Sequence, residues 1–178
     1  MRLADERALF ERAQSSAAGF GELFDAYYDR IYAYCYRRVG SRDIAEDVAA
    51  SVFEDAMRGI KRARWQNKPT IAWLYGIAAR RVADYYRSRK DDESLDDVVI
   101  HTGNLIHESV EQGEEFAAVQ RGLKKLNAND REIIMLAYFE ELDGAEIAAT
   151  LNCSANSAYV RLHRALGKLE RIVRDEIG

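Results

Sequence analysis

The chain has 178 residues, 48% apolar and 31% charged, with one proline and 11 glycines. That apolar share supports a packed core and excludes wholesale disorder, and the scarcity of breakers favours helix over a many-turned β fold. No apolar run is long enough to span a bilayer, and the first residues, MRLADERALFERAQ, lack the apolar stretch of a secretion signal. Cys35 and Cys153 stand far apart and fit neither a disulfide framework nor a zinc site, so the expectation is a cytoplasmic protein without metal or cofactor.

The net charge of −4 conceals strong blocks. Residues 1–90 carry 17 basic and 12 acidic side chains, residues 91–115 carry nine acidic and no basic ones, and residues 116–178 carry nine of each. Within the first block, 41–57 has a net charge of −4, whereas 58–90 holds ten basic residues against Asp84 alone. Blocks of this kind predict different partners for different parts of the chain.

Residues 1–19 form an N-terminal extension with the composition of a further helix and no role legible in the sequence. In 20–39, Phe20, Leu23, Phe24, Tyr27, Ile31, Tyr34, Cys35 and Arg38 recur at spacings of three and four, which predicts an amphipathic helix with an aromatic buried face. Gly40 suits the left-handed position that ends it, and Ser41 is the expected N-cap of a helix over 42–60, with Ile44, Val48, Val52, Phe53 and Ala56 inward. Residues 61–70, KRARWQNKPT, read as a loop, and 71–90 as a helix with Ile71, Leu74, Ile77, Ala78, Val82 and Tyr85 inward. Residues 91–113 read as an acidic linker, with His101 and His107 as solvated side chains. A helix over 114–126 follows. Asn129 with Glu132 predicts a capping box opening 130–141, and Asp143 with Glu146 another opening 144–151. Asn152 suits a left-handed turn, and a last helix runs over 155–174.

Three stretches carry chemistry. EIAATLNCSANSAYVRLHRAL, residues 146–166, has the short helix, tight turn and longer helix of a helix-turn-helix, with Ala148 and Ala158 as the small residues at the crossing. The outward side of its second helix carries Asn156, Ser157, Tyr159, Val160, Arg161, His163 and Arg164, side chains able to contact phosphates and major-groove edges. The bland alternative is a helical hairpin with a solvated basic face. The basic block 58–90 interleaves Trp65, Trp73, Tyr75, Tyr85 and Tyr86, a composition suited to stacking unpaired bases, and loop 61–70 could pocket an extruded base; taken singly, each ring could equally be core. The carboxylates of 42–57 form either a solvated face or a protein-docking face. No nucleophile–base pair, phosphate loop or metal cluster is present, which points away from an enzyme.

Taken in order, FGELFDAYYDRIYAYCYRRVGSRDIAEDVAASVFEDAM, WLYGIAARRVADYYRSRK, the acidic linker, LNANDREIIMLAYFEELDGAEIAATL and SAYVRLHRAL resemble the extracytoplasmic-function group of bacterial RNA polymerase sigma factors over about 20–174. The resemblance implies an all-α chain of two small helical domains, a sigma-two-like bundle over 20–90 and a sigma-four-like helix-turn-helix domain over 114–178, joined by the flexible acidic linker 91–113. It implies docking of Asp43, Glu46, Asp47 and Phe53 on the β′ clamp of core polymerase, with the β flap as a second contact. Arg64, Trp65, Lys68, Trp73, Arg80, Arg81 and Arg87 would read and melt the −10 element. Asn156, Ser157, Tyr159, Val160, Arg161, His163 and Arg164 would read the −35 element. Partners would be core polymerase, promoter DNA and an anti-sigma factor. The chain departs from the family pattern at Ala50, at Ala79 and Arg80, at Asn127 and at Asn156–Tyr159, so base preferences are not carried over from relatives. Two competing readings are a sigma-like decoy that binds an anti-sigma factor without starting transcription, and a helix-turn-helix repressor, which leaves 20–90 without a task.

Overall fold

The computed structural model describes residues 3–88 and 113–177; the linker expected over 91–113, including His101 and His107, lies almost entirely outside them. Among the described residues there are eight helices and no strand. They are α1 (Leu3–Ser15), α2 (Ala17–Val39), α3 (Arg42–Ile60), α4 (Thr70–Ser88), α5 (Gly113–Lys125), α6 (Ala128–Tyr138), α7 (Gly144–Thr150) and α8 (Ala155–Ile177). Helices α1–α4 make one compact unit and α5–α8 a second. No helix among the described residues is long and apolar enough to cross a membrane.

In the first unit α2 is the central element, packed on α1, α3 and α4. Its predicted inner stripe is buried from Phe20 through Leu23, Tyr27, Ile31, Tyr34 and Cys35 to Arg38, while Phe24 is only half-buried. Arg38 tolerates burial because its guanidinium lies 3.3 Å from the centre of the Tyr34 ring and donates to the Tyr34 carbonyl at 3.1 Å. Gly40 closes α2 in the left-handed conformation (φ 73°), its N–H donating to Tyr36 O. Ser41 opens α3 with extended backbone but makes no side-chain cap hydrogen bond.

The N-terminal segment is a full member of this unit. α1 buries Leu9, Phe10 and Ala13 against its neighbours. It turns sharply into α2 at Ser16, whose hydroxyl accepts from Gly19 N–H at 2.9 Å. The corner leaves no room at Gly19, where a Cβ would sit 2.2 Å from the Arg12 carbonyl oxygen.

In the second unit α8 packs on α5, α6 and α7. α5 approaches α8 closely at Gly122, where a Cβ would stand 2.9 Å from Leu169 Cδ1. The last carbonyls of α5 are capped from α6: Arg131 donates to Leu123 O, Lys124 O and Leu126 O, all at 2.9 Å. The capping residue of α6 is Asn127 and not the expected Asn129, since Asn127 Oδ1 accepts from Asp130 N–H at 2.9 Å. The helix also stops at Tyr138, short of 141, because Glu141 takes a left-handed conformation (φ 53°).

Glycine substitutions test the α1–α2 corner. Gly19→Ala should destabilise the first unit by about 1–3 kcal/mol through backbone overlap, whereas Gly21→Ala, with nothing within 4 Å of the added methyl, should leave it unchanged or raise stability by up to about 1 kcal/mol. Urea unfolding of the two variants reads the contrast.

Candidate functional site

Three surfaces bring the predicted residues together, two on the first unit and one on the second. On α3, Asp43, Glu46 and Asp47 are exposed, and among the described residues none of them is in an ion pair. Phe53, expected beside them as a docking residue, is enclosed instead at 4% exposure, its ring 4.8 Å from Phe24 and 6.0 Å from Tyr28. It braces the surface from beneath. Next to the carboxylates runs a feature the sequence reading missed. Phe24, Tyr28, Tyr32 and Tyr36, four residues apart on α2 and all half-buried, stack in a row with centroids 4.8, 6.2 and 6.2 Å apart. Burial raises the Tyr28 pKa, and the nearby Glu46 carboxylate adds to that shift, which ties the aromatic row to the acidic face. The signal was present as a second four-residue period just off the buried stripe.

The second surface is loop 61–69 with the outer side of α4. Arg64 and Arg80 are exposed. Trp65 and Trp73 are half-buried, 5.5 and 5.8 Å from the Phe10 ring. Lys68 is half-buried within the loop. Asn67 turns the backbone through a left-handed conformation (φ 57°). Two predicted cations are engaged elsewhere. Arg81 forks onto Asp55 of α3 with contacts of 2.5 and 2.7 Å, and Arg87 is paired with Asp84 one turn back. The Arg81 hydrogen bonds hold the Asp55 carboxyl below its usual range, against an opposing contribution from burial. Arg81 therefore fastens α4 to α3.

The third surface is the helix-turn-helix. Asp143 and Glu146 form the predicted capping box at the start of α7, at 2.8 and 3.0 Å. α7 ends with Asn152 in the left-handed conformation (φ 50°), Cys153 N–H donating to Ala148 O at 2.9 Å and Asn152 N–H to Ala149 O at 3.3 Å. That paired closure is a Schellman turn. Ser154, not singled out in the sequence, then caps α8 by accepting from Ser157 N–H at 3.1 Å. Ala158 and Ala165 are buried at the crossing. Opposite them Asn156, Tyr159, His163 and Arg164 are exposed, Tyr159 at 69%, while Ser157, Val160 and Arg161 are half-buried. The Tyr159 and His163 rings lie 6.5 Å apart along one face. Lys168, further along, is paired with Asp130 of α6 and lowers that carboxyl's pKa, with a smaller contribution from the Arg161 charge. It anchors the helix.

Cys35 is buried and Cys153 half-buried, with no disulfide between them. Among the described residues no cluster of His, Cys, Asp and Glu could hold a metal ion.

The Arg81–Asp55 fork has a pH signature. A depressed carboxyl pKa contributes stability above the unfolded value, about 4, and loses it as pH falls through the folded value. Asp55→Asn should therefore lower the unfolding free energy by about 1 kcal/mol or less at neutral pH, given the partial exposure of the pair. Thermal melts against pH should show the wild-type and Asp55→Asn curves converging at acid pH, whereas a constant gap would contradict the assignment.

Comparison with known proteins gives two family matches, sigma-70 region 2 over residues 23–91 and sigma-70 region 4 over residues 116–169. The ECF RNA polymerase sigma factor SigW of Bacillus subtilis is 32% identical over 168 residues, covering 88% of this chain and 89% of that protein. The ECF RNA polymerase sigma factor BldN of Streptomyces coelicolor is 31% identical over 178 residues, covering 94% of this chain and 66% of that longer protein. In fold, the chain resembles CnrH in its complex with the cytosolic domain of CnrY, with a TM-score of 0.65 and 22% identity over 96% of this chain and 97% of that one.

Proposed function

The chain belongs to the extracytoplasmic-function RNA polymerase sigma factors of the sigma-70 family, the subunits that direct promoter-specific initiation, and we propose that its three surfaces divide that task. The exposed carboxylates of α3, with the adjoining tyrosine row of α2, dock on the β′ clamp of core polymerase. Loop 61–69 and α4 read the −10 element and hold an extruded base of the non-template strand, with Arg64 and Arg80 toward phosphates and Trp65 and Trp73 shaping the pocket. α8 enters the major groove at the −35 element, with the β flap as the contact of the second unit. The domain limits follow the helices: a −10-reading domain over α1–α4, a linker, and a −35-reading domain over α5–α8.

The observation that carries this reading is α8 itself. A helix whose start is fixed by a Schellman turn and a serine cap presents Asn156, Tyr159, His163 and Arg164 outward, with no carboxylate among them. Arginine suits phosphate or guanine edges, and asparagine suits adenine.

The energetics favour joint action. With a net charge of −4, the free chain has little long-range attraction for DNA. Held on polymerase, two weak readers gain through effective concentration. Extruding a base costs a few kcal/mol, which pocket contacts must offset. In this reading the polymerase carries the chemistry and this chain supplies selection. A cytoplasmic location, where polymerase works, and regulation by an anti-sigma factor are expectations of family membership that belong to the same proposal.

Two experiments test it. Replacing Arg161 and Arg164 by Ala should weaken initiation at a −35-dependent promoter and shallow the dependence of log affinity on log salt by about 0.9 for each phosphate no longer neutralised; unchanged initiation would remove α8 as the reader. Reversing Asp43 and Asp47 to Lys should abolish association with core polymerase while the melting curve stays intact, and normal co-elution with core would remove the docking assignment.

A further inference from the structure

α1 has no part in the surfaces just assigned, yet one line of its side chains is spent on loop 61–69. Glu6, Phe10 and Gln14, four residues apart and so on one face of the helix, reach the far end, the middle and the near end of the loop. The Gln14 amide donates both hydrogens, to Ile60 O at 2.8 Å and to Ala63 O at 2.7 Å, closing the end of α3. The Phe10 ring lies against Trp65 and Trp73 together, at 5.5 and 5.8 Å. The Glu6 carboxylate accepts Thr70 N–H at 2.7 Å, at the first residue of α4. Pro69, just before it, has no N–H, and a carboxylate suits the positive end of a helix.

These contacts cost the chain something. Glu6 is 7% exposed, and the buried Tyr27 hydroxyl beside it and Thr70 has its pKa raised by burial, with the Glu6 charge adding. A merely adhesive helix needs an apolar stripe, and α1 already has one in Leu9, Phe10 and Ala13. Two polar residues placed at the two ends of a single loop are a means of fixing that loop's shape. Backbone groups at helix ends otherwise fray or turn to water, and a loop with frayed ends has no defined pocket.

We propose that α1 is a positioning element for the −10 reader: Glu6 and Gln14 clamp the two ends of loop 61–69, and Phe10 sets Trp65 of the loop against Trp73 of α4, so that the pocket discriminates among extruded bases. The proposal rests on the assignment of loop 61–69 as the −10 reader. Glu6 and Gln14 touch no DNA; they act through the loop.

The test uses holoenzyme reconstituted from core polymerase and the full chain, on a promoter the wild-type chain transcribes and on the same promoter with one base changed at the extruded position. The readout is the ratio of the two run-off rates. Trp65→Ala reports on the loop. Gln14→Met and Glu6→Ala remove the clamps, and Glu6→Gln keeps an acceptor oxygen for Thr70. The ratio should fall with Trp65→Ala and fall about two- to tenfold with Gln14→Met and Glu6→Ala, as expected for removing a hydrogen bond that fixes geometry. It should hold with Glu6→Gln, and affinity for core polymerase should be unmoved throughout. A fall in both rates with the ratio preserved would reduce α1 to a structural prop and overturn the proposal. A ratio lowered by Trp65→Ala but untouched by Gln14→Met and Glu6→Ala would overturn it while leaving the loop assignment standing. A ratio untouched by Trp65→Ala would overturn the loop assignment itself, and the role of α1 with it.

Discussion

Helix ends that cannot close on themselves shape both units of this chain. The last carbonyls of a helix and its first N–H groups lack intrahelical partners, and a buried end must find them elsewhere. α2 and α7 solve this locally, with Gly40 and Asn152 in left-handed turns. α3 closes only partly on its own backbone, Ala63 N–H donating to Gly59 O and Ile60 O, and both α3 and α5 draw on a neighbouring helix. Each is closed by a side chain from another helix: Gln14 of α1 for α3, and Arg131 of α6 for α5. Loop 61–69 and the α5–α6 connection thus take part of their geometry from side chains of other helices. Where function needs a loop of defined shape, this is the interaction on which it depends.

Charge is organised by the same economy of partners. The basic block from 58 to 90 looked uniform as composition, but the fold sorts it. Arg81 is spent on Asp55, Arg87 on Asp84 and Arg58 on Glu54 and Asp55. Arg64 and Arg80 stay exposed. In the second unit Lys168 is spent on Asp130, and Glu176 at the end of α8 takes Arg121 and Lys125 of α5. Arg164 stays exposed on α8. The side chains that remain after this sorting define the surfaces far better than the count of charges does.

What the sequence revealed and what it hid divide along a physical line. The 3.6-residue period identifies which side of a helix is buried, so the stripes of α2, α3 and α4 were legible to within a residue or two. Local capping rules found Gly40, Asn152 and the Asp143–Glu146 box, because both partners lie within one turn. The Asn127 cap was missed in favour of Asn129: two asparagines two residues apart offer the same chemistry, and only the backbone decides between them. Phe53 was read two ways, inward from its helical spacing and docking from the family resemblance, and its 4% exposure agrees with the spacing. The partners of Glu6, Gln14 and Arg81 stand 64, 46 and 26 residues away, and no local pattern announces such a pairing.

In the proposed reading, an acidic docking face, a clamped basic loop and a capped recognition helix together make one selector that opens DNA only on polymerase. The most direct test places 2-aminopurine in the non-template strand at the −10 position expected to leave the stack, and follows its fluorescence as holoenzyme is added to duplex promoter. The expected result is a rise with core polymerase and this chain together and none with either alone. A stable holoenzyme that binds the promoter and leaves that base stacked would contradict it.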